Sequence, residues 1–143
     1  MATPDAGRFS HVTLTVGDLE RSVDWYSRVL GARKVADREG DGWTRALMRT
    51  DGGLTIGLTV HGVTTAGDAF DHRRVGLDHF SIACADRSGV EAWRAHLDTL
   101  GIEHGPLEEP GYAFVLTARD PDGIGCRDSD DEMSRGEVGR EGV

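Results

Sequence analysis

Nothing in the sequence approaches the ~18 consecutive apolar residues of a membrane-spanning helix, so no membrane partner is expected. The first ten residues, MATPDAGRFS, lack the apolar stretch of a secretory leader. Cysteine is scarce. Two residues, Cys84 and Cys126, are too few for a disulfide framework. Both fall in segments that read as strands, which predicts buried thiols and a cytoplasmic location. Lysine is nearly missing, with fifteen Arg against the single Lys34. Positive charge as a whole is outweighed: 16 basic residues face 25 acidic ones, for a net charge of −9. A nucleic-acid partner needs the opposite balance and is not expected. Aromatics make up only 6% and apolar residues 38%, low values that still allow 143 residues to bury one core.

What the chain does have is an internal echo. HVTLTVGD at 11–18 matches HFSIACAD at 79–86: each opens on His and closes on Asp seven places later. Trp25 and Trp93 each lie fourteen residues after their His, and the segments end on Leu30-Gly31 and Leu100-Gly101. Four coincidences in the same order predict two copies of one structural unit. Each copy reads as strand, helix and three strands. In the first, 11–16 is a strand, and Asp18 N-caps a helix that Gly31 stops. Strands follow at 32–39, 43–50 and 54–61, separated by Gly-rich turns. In the second, 77–84 is a strand, Ser88 and Glu91 form a capping box, and strands are predicted at 102–109, 112–119 and 124–128. The segment with Pro106 reads as a poor edge strand, and DPDG at 120–123 reads as a turn with no chemistry of its own.

The predicted organisation is an N-terminal extension (1–8), a first module (9–61), a linker (62–76), a second module (77–128) and an acidic, disordered tail (129–143). The fold class is α+β. Strand alternation puts Val12, Leu14 and Val16 on one face of the first strand and His11, Thr13 and Thr15 on the other. His79, Ser81 and Ala83 share a face in the same way. The large apolar faces pack under the helices, with Trp25, Tyr26 and Trp93 in the core. The small polar faces leave room for a ligand. Trp43, Tyr112 and Phe114 are expected in a pocket wall, and His72, His96 and His104 on the surface.

The motifs HVTLTVGDLERSVDWYSRVLG, GLDHFSIACAD and RDPDGI resemble the vicinal oxygen chelate superfamily, which includes glyoxalase I, extradiol dioxygenases and the fosfomycin- and bleomycin-resistance proteins. The resemblance covers about residues 9 to 127. It implies paired βαβββ modules with curved, cupped sheets and helices outside, assembled as a homodimer. In metal-dependent relatives the ligands come from the first and last strands of each module. His11 and His79 occupy two of those positions. An internal offset of seventy residues pairs Gly31 with Gly101 and Gly53 with Gly123. The same offset puts Gly57 and Arg127 at the remaining two.

That departure opens two readings. An active metal site usually needs three protein ligands, and an Arg cannot coordinate. At 4 Å and an effective dielectric of 20, two unit charges repel by about 4 kcal/mol, and a dication doubles this. The first reading is therefore a small-molecule binder with no metal, its pocket formed by Thr13, Gly57, Thr59, Ser81 and Arg127, with His11 or His79 serving any acid–base step. The alternative is a glyoxalase-type lyase, isomerase or dioxygenase that holds a divalent metal (Zn, Ni, Fe or Mn) on His11 and His79. Asp128, if a bulge shifts the last strand by one residue, or His61 would complete the shell.

Overall fold

A computed structural model describes residues 7–65, 67–109 and 113–129. The chain divides into two compact units, with the boundary between Asp68 and Ala69.

The first unit runs β1 (Val12–Thr15), α1 (Leu19–Leu30), β2 (Arg33–Gly40), β3 (Trp43–Arg49) and β4 (Thr55–His61). The strands form one sheet in the order β1-β4-β3-β2, with β1 parallel to β4 and the other neighbours antiparallel. Helix α1 starts where Asp18 accepts a hydrogen bond from the Arg21 N–H at 2.9 Å. It stops at Gly31, whose φ of 62° is easiest for a residue without a Cβ. Its inner face carries Trp25, Tyr26, Val29 and Leu30, buried against one side of the sheet. That side presents Leu14, Ala46, Met48, Ile56 and Leu58, all at most 2% exposed. Each large apolar side chain buried in this way contributes roughly 1.5–3 kcal/mol. In β2, pairing with β3 slips between Lys34 and Ala36, a bulge that leaves Val35 unpaired and half exposed.

The second unit runs β5 (His79–Ala83), α2 (Arg87–Leu100), β6 (Val115–Arg119) and β7 (Gly125–Ser129). Its sheet has the order β5-β7-β6, with β5 parallel to β7 and β6 antiparallel to it. Val90 and Leu97 of α2 are buried, as are Leu116 and Ala118 of β6.

Several expectations are corrected. Both sheets are open, with linear strand orders, and neither is closed or curled. The expected curved, cupped sheets are therefore not found: each sheet buries one face under a single helix and leaves its outer strands as edges. The second unit also lacks a counterpart to the predicted strand at 102–109. Only His104 and Glu108 make isolated bridges there, to Ala118 and Val115. Pro106 has no N–H for a ladder, which explains the interruption. The N-cap of α2 is Asp86, which accepts from the Gly89 N–H at 3.0 Å. Glu91 instead pairs with Arg87, so the capping box is replaced. Cys84 lies just beyond β5 and is only half-buried, whereas Cys126 is buried. Trp93 is half-buried, edge-on to His96, rather than part of the core. His104 is not a free surface residue; it bonds Asp98 and the Gly105 carbonyl. Tyr112 and residues 130–143 of the expected tail lie outside the described residues.

Candidate functional site

In the first unit, the face turned away from α1 follows from strand register. Thr13 lies beside Gly57 and Thr15 beside Thr59. Arg45 pairs with Thr59, Leu47 with Gly57 and Trp43 with His61. Alternation places His11, one residue before β1, on the same side. His11 is exposed, with the Ser10 hydroxyl 3.1 Å from its Nδ1. His61 ends β4, and its N–H donates to the Thr64 hydroxyl at 3.2 Å.

Gly57 is tightly overlaid. A Cβ there would lie 2.7 Å from the Thr13 hydroxyl and 3.3 Å from Cδ of Arg45. The position is filled by the neighbours' side chains, so a glycine is what allows them to approach. Arg45 is the residue that sequence reasoning missed. Its stem crosses Gly57, its Nε donates to the Thr59 hydroxyl at 2.7 Å, and its guanidinium carbon sits 4.8 Å from the centre of the Trp43 ring. The signal was available: alternation in WTRALMR puts Trp43, Arg45, Leu47 and Arg49 on one side.

In the second unit, His79 pairs with Gly125 and Ser81 with Arg127, so all four share the face away from α2. Gly125 permits a close fit, since a Cβ there would stand 3.2 Å from Cβ of His79. His79 Nδ1 lies 2.5 Å from an oxygen of Asp78. This hydrogen bond holds the Asp78 carboxyl below the ordinary carboxylate range. A carboxylate only accepts, so Nδ1 of His79 is the donor in this contact. Arg127 is half-buried within β7, and its Nε is buried without a hydrogen-bond partner. Ser81 bonds the Ser129 hydroxyl at 3.0 Å and the Arg127 carbonyl at 3.3 Å.

Asp128 sits on the other face. The ladder from Gly125 to Ser129 is unbroken against both neighbours, and Asp128 pairs with Ile82 and Leu116. Its side chain is turned with Cys126 toward the helix side, only 3% exposed, with Oδ1 unpartnered. Burial raises its carboxyl to about 7. Burial also raises the Cys126 thiol, with help from Asp128 and Asp120. Phe114, expected in a pocket wall, carries the Arg87 guanidinium over its ring at 4.8 Å.

The donor set does not fit a resident metal ion. Gly57 has no side chain, Arg127 is a cation, Asp128 points away from His79, and His61 lies four residues beyond Gly57 on its strand. No three His, Cys, Asp or Glu residues converge for a metal among the described residues. The two ladders reach the same equivalence from geometry: Gly57 stands beside the residue two after His11, and Arg127 beside the residue two after His79.

No helix among the described residues is long and apolar enough to cross a membrane. The model of the Glyoxalase/Bleomycin resistance protein/Dioxygenase superfamily matches residues 8–126. A lactoylglutathione lyase of Escherichia coli O157:H7 is 31% identical over 124 residues, which are 81% of this chain and 87% of that protein. A lactoylglutathione lyase of Arabidopsis thaliana is 30% identical over 122 residues; the chain spans 42% of its length. A crystal structure of a glyoxylase/bleomycin resistance protein/dioxygenase domain from Frankia sp. EAN1pec superposes with a TM-score of 0.80 at 31% identity, covering 87% of this chain and 92% of that one. With two echoed units, each a helix over an open mixed sheet, and a family match across most of its length, the chain belongs to the Glyoxalase/Bleomycin resistance protein/Dioxygenase superfamily.

Proposed function

We propose that this protein binds a small organic ligand without a resident metal, on the sheet faces turned away from its helices. The ligand-facing residues are His11, Thr13, Gly57 and Thr59 in the first unit and His79, Ser81 and Arg127 in the second. The observation that carries the reading is the pair of ladder positions beside Thr13 and Ser81, held by a glycine and an arginine where a metal site needs donors. Any proton transfer falls to His11 or His79. For His79, the Asp78 carboxylate holds the ring through Nδ1, which leaves Nε2 for the ligand. Arg127, half-buried on the same face, carries a guanidinium suited to an oxyanion or carboxylate of the ligand. A homodimer accompanies this reading and is checked by light scattering.

Thermal shift in EDTA against a panel of small organic compounds tests the proposal. Stabilisation without metal is the expected result. Stabilisation that appears only after Zn, Ni, Fe or Mn is added refutes it. A second reading is favoured by the relatives' shared name, lactoylglutathione lyase. It requires metal-dependent turnover of lactoylglutathione that vanishes in His11→Ala and His79→Ala.

A further inference from the structure

The face of the first unit away from α1 carries more positive charge than its own residues neutralise. Arg38 stands directly across from Arg45, and Arg33 across from Arg49. Like charges opposite one another on a sheet repel. Arg33 is relieved by Asp51 at 2.8 Å. Arg38 has a backbone contact only, to the Asp37 carbonyl at 2.9 Å. Arg45 bonds the neutral Thr59 hydroxyl and stacks on Trp43. Among the described residues, no carboxylate forms an ion pair with Arg38 or Arg45.

Arg45 is also held in place rather than free to wander. Thr59, which accepts from its Nε, is 1% exposed. The glycine at 57 leaves a channel for the stem, and the indole supports the guanidinium plane. Its remaining N–H groups form a fixed fork, the geometry suited to a carboxylate. The Trp43 indole lies across Gly40, where any Cβ would meet the ring at 2.4 Å. Beside it is a crevice of about 350 Å³ lined by Trp43, His61, Val60 and the glycines at 40, 42 and 62. That volume is within the range of small-ligand sites. Arg45 stands next to the crevice rather than in its wall. Of the lining residues, Glu39, Thr44 and Val60 pair across the strands and point to the opposite side of the sheet, so Trp43, His61 and the glycines form the wall on the Arg45 side.

From this we propose that the first unit recognises an organic anion with a flat apolar body: its carboxylate is held by Arg45 with Arg38 nearby, and its ring system enters the crevice beside Trp43. The inference rests on the metal-free binding reading and names its ligand class. An anion at Arg45 also relieves the repulsion with Arg38, so binding and local stability are coupled.

The test uses the full chain in EDTA, with 2-naphthoate and its neutral isostere 2-naphthamide as probes, followed by calorimetry and tryptophan fluorescence. The carboxylate is expected to bind about tenfold or more tightly than the amide, and to weaken as salt is raised. Arg45→Met is expected to remove that preference, bringing carboxylate affinity down to that of the amide. Arg45→Lys restores part of it, because charge returns without the fork. Trp43→Leu weakens both probes. Circular dichroism confirms that each variant folds. If amide and carboxylate bind equally, or Arg45→Met keeps full carboxylate affinity, the anion assignment falls while metal-free binding stands. If the carboxylate binds only after a divalent metal is added, the underlying reading falls with it. If neither probe binds under any condition, the crevice is not a ligand site and the inference is overturned.

Discussion

Asp128→Asn offers a direct check on the packing of the second unit. The side chain is buried on the helix side of β7 between Ile82 and Leu116, with Oδ1 lacking any hydrogen bond. Its carboxyl titrates at about 7 in the fold, against an ordinary value of 3.8, and the cause is desolvation of the charged form. Because the folded value is raised, the protonated acid is the form that the fold tolerates. Below pH 3.8 the residue carries no penalty. The penalty grows as pH rises, and above about 7 it levels off. At about 1.4 kcal/mol per unit of pH, ionised Asp128 costs the fold roughly 4 kcal/mol at the plateau, of which about 2–3 kcal/mol accrues between pH 5 and pH 8. Asparagine has nearly the same shape and does not titrate. Urea melts of both proteins, followed by circular dichroism at pH 5, 6, 7 and 8, isolate the contribution of this one carboxyl. His104 also has a raised value, from its bonds to the Gly105 carbonyl and Asp98. It contributes stability that is lost as pH rises, but it is present in both proteins and cancels. The stability of Asp128→Asn relative to wild type is expected to climb by about 2–3 kcal/mol across that range. A difference that stays flat means the carboxylate is solvated or paired, and the placement of Asp128 on the helix side is refuted.

The other expectations concern both units. Gly57→Ala puts a methyl group 2.7 Å from the Thr13 hydroxyl and 3.3 Å from the Arg45 stem; overpacking of this kind is expected to cost about 1–3 kcal/mol in a thermal or urea melt. Leu58→Ala empties a fully buried position under α1 and is expected to cost about 2–5 kcal/mol by the same assay. Asp18→Ala removes the cap on Arg21 N and is expected to cost about 1 kcal/mol, with Asp18→Asn retaining most of it. His104→Gln removes a protonatable link from the 102–109 segment to α2, so it is expected to flatten the fall in stability as pH rises above the ordinary His range.

The elements that were legible in the sequence share a feature: short-range patterns determine them. Asp18 and Gly31 delimit α1 because capping depends on a few neighbouring residues, and the alternation of β1 and β4 fixes which side chains lie under the helix. Where the reading failed, the decisive term was not local. Ser88 and Glu91 fit a capping box, yet Asp86, two residues earlier, reaches the Gly89 N–H, and Arg87 takes Glu91 as its own partner. The segment with Pro106 had a strand's composition but too few N–H groups in register to hold a ladder. Curvature was an expectation taken from the family resemblance, although it depends on strand pairing across the whole sheet, which the motifs do not encode. The same limit hid Arg45. Its position on the side away from α1 is visible in β3, but its fixed placement arises from Gly57 on β4, which leaves room for its stem, and from Thr59 and Trp43, which hold its ends. Gly57 therefore has two consequences from one missing side chain. It withholds a donor from a metal, and it makes space for a fixed cation beside the gap, so the same substitution that argues against metal chemistry favours an anionic ligand.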